Sequence, residues 1–145
     1  MTELYLDAEH LLAGRRRVRI ACAMVLVLQL AVLVGLALRG MTDRLPYTAI
    51  RIAGYAALAS FMLMRHSRGA HLLFRLLLAF GLTGSIPIAY QAEQPLQVRL
   101  LAGGLSAYFL AVFALITWGK GIPTYFHPRA QADLAQLDRQ ARAEA

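Results

Sequence analysis

The chain has 145 residues, 59% of them hydrophobic and only 16% charged, with a formal net charge of +7. An ordinary soluble domain is nearer half apolar and a quarter charged, so this composition fits lipid as a solvent better than water. The positive charge does not identify nucleic acid as a partner. Fourteen of the fifteen cations are arginine, and they fall in short clusters between long apolar runs instead of lining a polar face interleaved with aromatics. Cys22 is the only cysteine, so no intramolecular disulfide forms.

Residues 1–14 open the chain with Leu4, Ala8, Leu11 and Leu12 at helical spacing and Glu3, Asp7 and His10 elsewhere on the wheel. The pattern predicts a short amphipathic helix ended by Gly14, leading into Arg15, Arg16 and Arg17. The first apolar segment follows, "IACAMVLVLQLAVLVGLAL", with 19 residues and no charge. At ~1.5 Å per residue it matches a hydrocarbon core of about 30 Å. It is too long for the apolar region of a signal peptide, and no A-x-A-like cleavage site follows it closely.

Three further spans follow, near residues 46–64, 71–92 and 99–119, with the first at 18–38. The second carries Arg51, and the third carries Arg75 near its start and Pro87 near its end. Apolar residues surround each segment instead of forming one stripe, as lipid-facing helices require. Pro87 lacks a backbone donor and is expected to kink or end the third helix. Residues 127–145 repeat the amphipathic idea in "RAQADLAQLDRQARAEA", which reads as a surface-lying or partner-docking helix or tail. The expected fold is all-α: an integral membrane four-helix bundle over residues 15–126, flanked by short amphipathic terminal helices.

The arginine bias sets an expected orientation. With the N-terminus inside, eleven cations lie on the inner side: Arg15, Arg16, Arg17, Arg19, Arg65, Arg68, Arg75, Lys120, Arg129, Arg139 and Arg142. Only Arg39, Arg44, Arg51 and Arg99 lie on the outer side. The positive-inside rule then puts both termini in the cytoplasm, with Tyr47 and Tyr90 at the outer interface and Trp118 and Tyr125 at the inner one. The stretch "RHSRGAHLLFR" becomes the cytoplasmic turn of a helical hairpin. Arg65 and Arg68 hold it inside, Gly69 relaxes the bend, and Arg75 snorkels back toward anionic head groups.

In lipid there is little hydrophobic drive between helices, so small residues mark places where backbones approach. Ala49, Ala53 and Ala57, with Gly54 beside them, form one such face, Gly103, Ala107 and Ala111 a second, and Gly81 with Ser85 a third. These faces suit packing within one bundle, the simpler reading, or a homodimer.

Arg51 lies about 7 Å inside its span, within snorkelling reach of the outer interface, where Asp43 and Glu93 are potential partners and Arg99 is a neighbour. The candidate interaction or lipid-contact residues are therefore Arg51, Glu93, Arg99, Arg65, Arg68 and Arg75. His66 and His71 are five apart and share no helix face, so no metal site is expected. The spans carry no carboxylate, which argues against a proton-coupled carrier. Ser60, Ser85 and Ser106 have no sequence-local His or Asp, and no phosphate loop, dinucleotide fingerprint or HExxH appears. No enzymatic activity and no cofactor are expected.

The stretch "FMLMRHSRGAHLLFRLLLAFGL", with a last span ending "ITWGKGIPTYF", resembles a group of small four-span bacterial inner-membrane proteins of unknown function. Their turn between spans two and three is short and basic, with a glycine and a tryptophan–arginine pair, and their last helix ends near an aromatic–phenylalanine pair. Gly69, Arg75, Tyr125 and Phe126 fit that pattern over about residues 46–126, while the turn here has no tryptophan. The resemblance implies a bacterial inner-membrane location. Membrane-embedded immunity proteins are similar in size and span number, by hydropathy alone. The expected role is protein–protein contact with a membrane partner or a second copy, as an accessory subunit, assembly factor or toxin-immunity protein. The alternative is a homo-oligomeric pore or small transporter, whose lumen would need the few polar span residues, Gln29 among them.

Overall fold

The computed structural model describes residues 7–38, 40, 43, 45–119 and 121–143. The expectations for Glu3, Leu4, Arg39, Arg44 and Lys120 lie outside the described residues. Six helices follow in order: α1 (Ala8–Leu38), α2 (Leu45–Arg65), α3 (Arg68–Tyr90), α4 (Leu96–Thr117), α5 (Gly121–Tyr125) and α6 (Ala130–Ala143). The described residues contain no strand. The first four helices are each long and apolar enough to cross a membrane, and the chain reads as a multi-pass membrane protein.

Chain-adjacent long helices pack against each other, and α4 returns to α1, so the four helices contact one another in the order α1, α2, α3, α4 and back. Their mutual core is built from bulky side chains. Phe74, Leu78, Met62, Val112 and Ile116 are fully buried, with Tyr55 and Phe109 nearly so. The Tyr55 and Phe74 rings meet edge to face at 6.0 Å, an arrangement that the ring quadrupoles favour.

The expected helix end at Gly14 is not there. α1 runs unbroken through Gly14 for 31 residues, about 46 Å at the usual rise, so its first turns extend well beyond a hydrocarbon core. Tertiary contact explains this glycine. A Cβ on Gly14 would overlap the carbonyl of Gly121 and lie 2.8 Å from Cβ of Tyr125. A Cβ on Gly121 would lie 2.5 Å from the His10 carbonyl oxygen and 2.7 Å from the Gly14 nitrogen. Two backbones therefore touch with no side chain between them, seating α5 on the projecting start of α1. α6 follows onto the same surface, where Ala130 and Leu134 bury against Leu11, Ile122 and Tyr125. The start of α1 and the helices α5 and α6 thus share one end of the molecule, called here the capped end. The opposite end carries the α1–α2 and α3–α4 connections.

Two expectations at the α2–α3 turn also change. The bend comes from His66, held at φ 49°, a left-handed conformation that costs a non-glycine residue about 1 kcal/mol. Gly69 lies inside α3, whose N-cap Ser67 accepts from the Ala70 amide at 3.2 Å. Tyr125, expected in an interfacial aromatic belt, is 1% exposed and packs its ring 4.5 Å from His66. Trp118, Tyr47 and Tyr90 are exposed. α3 continues past Pro87 to Tyr90, with the Gln91 amide closing onto the Pro87 carbonyl at 3.1 Å.

Replacing Gly14 with leucine forces α1 and α5 apart, a cost of about 3 kcal/mol that lowers the thermal midpoint in detergent by on the order of 10 °C. Gly54→Ala, where a Cβ meets nothing within 4 Å, leaves that midpoint unchanged or slightly raised. Equal midpoints for Gly14→Leu and the wild type would remove the contact from the account.

Candidate functional site

Near the end opposite the cap, the helices diverge around a cavity of about 620 Å³ to which all four contribute. Apolar side chains such as Leu28, Leu77, Leu105 and Phe109 form most of its wall. Gln29 is among its buried polar side chains, with Ser85 and Tyr55. It is 3% exposed, and its Oε1 has no hydrogen-bond partner, a costly state for a buried amide. Ser85 lies on the opposite wall, donating to the Gly81 carbonyl at 2.9 Å and accepting from Ser106 at 2.8 Å. Gly81 permits this geometry, because Phe109 lies against it and a Cβ would stand 3.0 Å from that ring. Of the three small-residue faces, this is the one buried between helices.

Arg51 lines the mouth of the cavity and an adjoining hollow of about 490 Å³ bordered by Asp43 and Tyr47. Arg99 instead borders a separate groove of about 600 Å³ between α3 and α4, with its Nε donating to the Ala89 carbonyl at 3.2 Å. Glu93 is exposed in the α3–α4 connection. Among the described residues, no ion pair joins Arg51, Asp43, Glu93 and Arg99, so the expected charge cluster resolves into two separate sites.

The other candidate cations lie at or toward the capped end, each on a different surface. Arg65 is exposed, with its guanidinium 5.7 Å from the Phe61 ring centre. Arg68 donates from Nε to the Phe126 carbonyl at 2.9 Å, tying the α2–α3 turn to the segment after α5. Arg75 lies over Phe113 at 5.5 Å with its Nε buried and unpartnered, so it packs between α3 and α4. Arg17 donates to the Trp118 carbonyl at 2.6 Å. Arg15 makes a two-pronged pair with Asp138 at 2.8 and 3.1 Å, latching α6 to α1. Beside that latch is a cleft of about 370 Å³ walled by Arg19, His66, Tyr125 and Leu134.

Electrostatics at the capped end follow from one ion pair and from burial. The paired Arg15 guanidinium holds the Asp138 carboxyl below the usual carboxylate range. Desolvation, and then the charge of Arg15, lower the His66 imidazole from its ordinary value, and both of its ring nitrogens are buried without partners. Burial pushes the Tyr125 phenol up to about 12. Among the described residues, no three His, Cys, Asp or Glu side chains converge as metal ligands would.

Gln29 stands out in the sequence only as one of the few polar span residues. Its signal was being the lone amide in a 19-residue uncharged run. Nothing local marked His66 as the turn residue, whose ring packs against the distant Tyr125. No protein family, curated protein or solved structure matches this chain.

His66 gives the capped end a pH dependence with a definite sign. The unfolded chain takes up a proton near pH 6.5, whereas the folded imidazole, with its lowered value, resists it. Stability therefore falls as pH drops from about 7 toward 5, and the loss from Asp138 begins only below about pH 4. The thermal midpoint should fall over the first window in the wild type and fall less in His66→Gln. Parallel pH curves for the two proteins would refute the assignment.

Proposed function

We propose that the chain is a four-helix-bundle protein of a bacterial inner membrane, with both termini cytoplasmic, that works by contact with another membrane protein. The observation that carries this reading is which residues face outward. The helices fill their own interior with Phe74, Leu78, Tyr55 and Phe109 and leave small residues outside. Ala49, Ala53, Gly54 and Ala57 on α2 are exposed, as are Ala107 and Ala111 on α4. A Cβ on Gly54, Gly103 or Gly104 would meet nothing within 4 Å. Outward-facing small residues are poor at filling space against lipid chains and good at admitting a second helix backbone. The sequence reading favoured use of these faces inside the bundle; their exposure shifts the reading to an external helix.

Capping supports contact over conduction. Below the cavity the axis is filled by fully buried Met62, Phe74, Leu78, Val112 and Ile116, and Tyr125 follows beneath them. A lumen would need polar side chains along that path. The excess of arginine at the capped end supports its cytoplasmic placement. Accessory subunit, assembly factor and toxin-immunity partner are all roles that such a surface serves.

The test uses affinity-tagged protein extracted gently from its native membranes, with Ala53→Leu and Ala57→Leu alongside. The wild type should retain a co-purifying membrane protein that both variants lose. Their unfolding free energies should stay within about 0.5 kcal/mol of the wild type, as exposed substitutions do. Retention of the same protein by both variants, or solute leak from liposomes holding the wild type alone, would overturn the proposal.

A further inference from the structure

We infer that the cavity opposite the cap binds a single-chain anionic amphiphile bearing a hydrogen-bond donor beside its head group. Three observations with different physical origins point to one kind of occupant. The cavity is about 620 Å³, within the range of small-molecule sites and mostly apolar, as such sites are. Water filling it would find few polar partners, so it is a poor match for a purely aqueous interior. An acyl chain satisfies that wall.

The polar groups are ordered along the axis. Arg51 stands six residues from the start of α2 at Leu45, roughly 9 Å along the helix, and Gln29 stands nine residues from the end of α1 at Leu38, roughly 14 Å. Phe109 lies thirteen residues into α4, roughly 20 Å down. Moving inward, an occupant meets a cation, then an amide oxygen lacking a donor with the Tyr55 phenol at similar depth and Ser85 on the facing wall, then a wall of Leu77, Leu105 and Phe109. A matching molecule presents an anion, then a hydroxyl or amide N–H, then a hydrocarbon tail. Lysophospholipids and N-acylated amino acids share that order, whereas a plain fatty acid lacks the middle group.

Gln29 and Arg51 are available for this role. Gln29 is nearly completely buried and its Oε1 is unpartnered, so a donor brought by a ligand removes a standing desolvation cost. Asp43, across the adjoining hollow, forms no ion pair with Arg51, which leaves the guanidinium to bind carboxylate or phosphate. The exposed Tyr47 lines the same opening and offers a phenol to the head group.

The experiment uses the full chain in zwitterionic phosphatidylcholine nanodiscs and an N-acylglycine with a diazirine at its tail. Cross-linked residues are identified by mass spectrometry. Competitors are N-oleoylglycine, oleoyl lysophosphatidylglycerol and oleate. The label should fall on the inner wall around Leu77, Leu105 and Phe109, and a donor-bearing competitor should displace it about tenfold better than oleate. Whichever of the two donor-bearing molecules competes better identifies the source of the ligand. Arg51→Gln should weaken both by about tenfold. Gln29→Leu should erase their advantage over oleate while leaving the thermal midpoint unchanged or higher, which separates loss of binding from loss of fold. Labelling scattered over lipid-facing side chains such as Val27, Val34 and Leu110, or identical competition in all three proteins, would overturn the inference.

Discussion

The structure depends on a backbone-to-backbone contact between Gly14 and Gly121. With no Cβ on either residue, α5 lies directly on α1, and that closeness brings Tyr125 beneath the core and Phe126 within reach of Arg68 and His71. The Phe126 ring stacks on His71 at 4.4 Å, and the His71 Nε2 lies 2.8 Å from the Ile116 carbonyl. The α2–α3 turn, the end of α4 and the start of α1 are thereby gathered around one short segment. Any side chain at either glycine would push these elements apart together.

Two solvents explain why the ends differ. Between the long helices inside lipid, association rests on shape, and the fit there is local: Gly81 against Phe109, Ser85 against Ser106, and the Tyr108 hydroxyl on the Met24 carbonyl. Beyond the bilayer, burying Leu11, Ile122, Phe126 and Leu134 removes apolar surface from water, at about 1.5–3 kcal/mol for each fully buried large side chain. The cap therefore has a driving force that the opposite end lacks. At that end the same four helices line a cavity, and among the described residues neither connection there forms a short helix like α5.

Much of this was legible in the sequence. Uncharged runs of membrane length, the short basic turn and the amphipathic tail each depend on local composition, and the helices appear where those runs lie. Failures occurred where a residue's role is set by a distant partner. Gly14 resembles a helix stop until Gly121 is placed against it. Tyr125 resembles an interfacial aromatic until α5 folds under the core. The small residues of α2 and α4 were visible as faces, but their direction depends on the rotation of each helix, which hydropathy distributed all around a helix cannot fix. The cavity was illegible for the same reason, since it is a property of four helices and belongs to no one segment.

The docking of α5 and α6 against the projecting start of α1 holds the capped end together. Spin labels at Arg16→Cys and Arg139→Cys, in a Cys22→Ala background, flank the Arg15–Asp138 pair without removing it. Double electron–electron resonance in nanodiscs should give a short, narrow distance distribution that broadens and lengthens when Gly14→Leu is added. A broad, long distribution in the unaltered protein would show that the cap does not form in a bilayer.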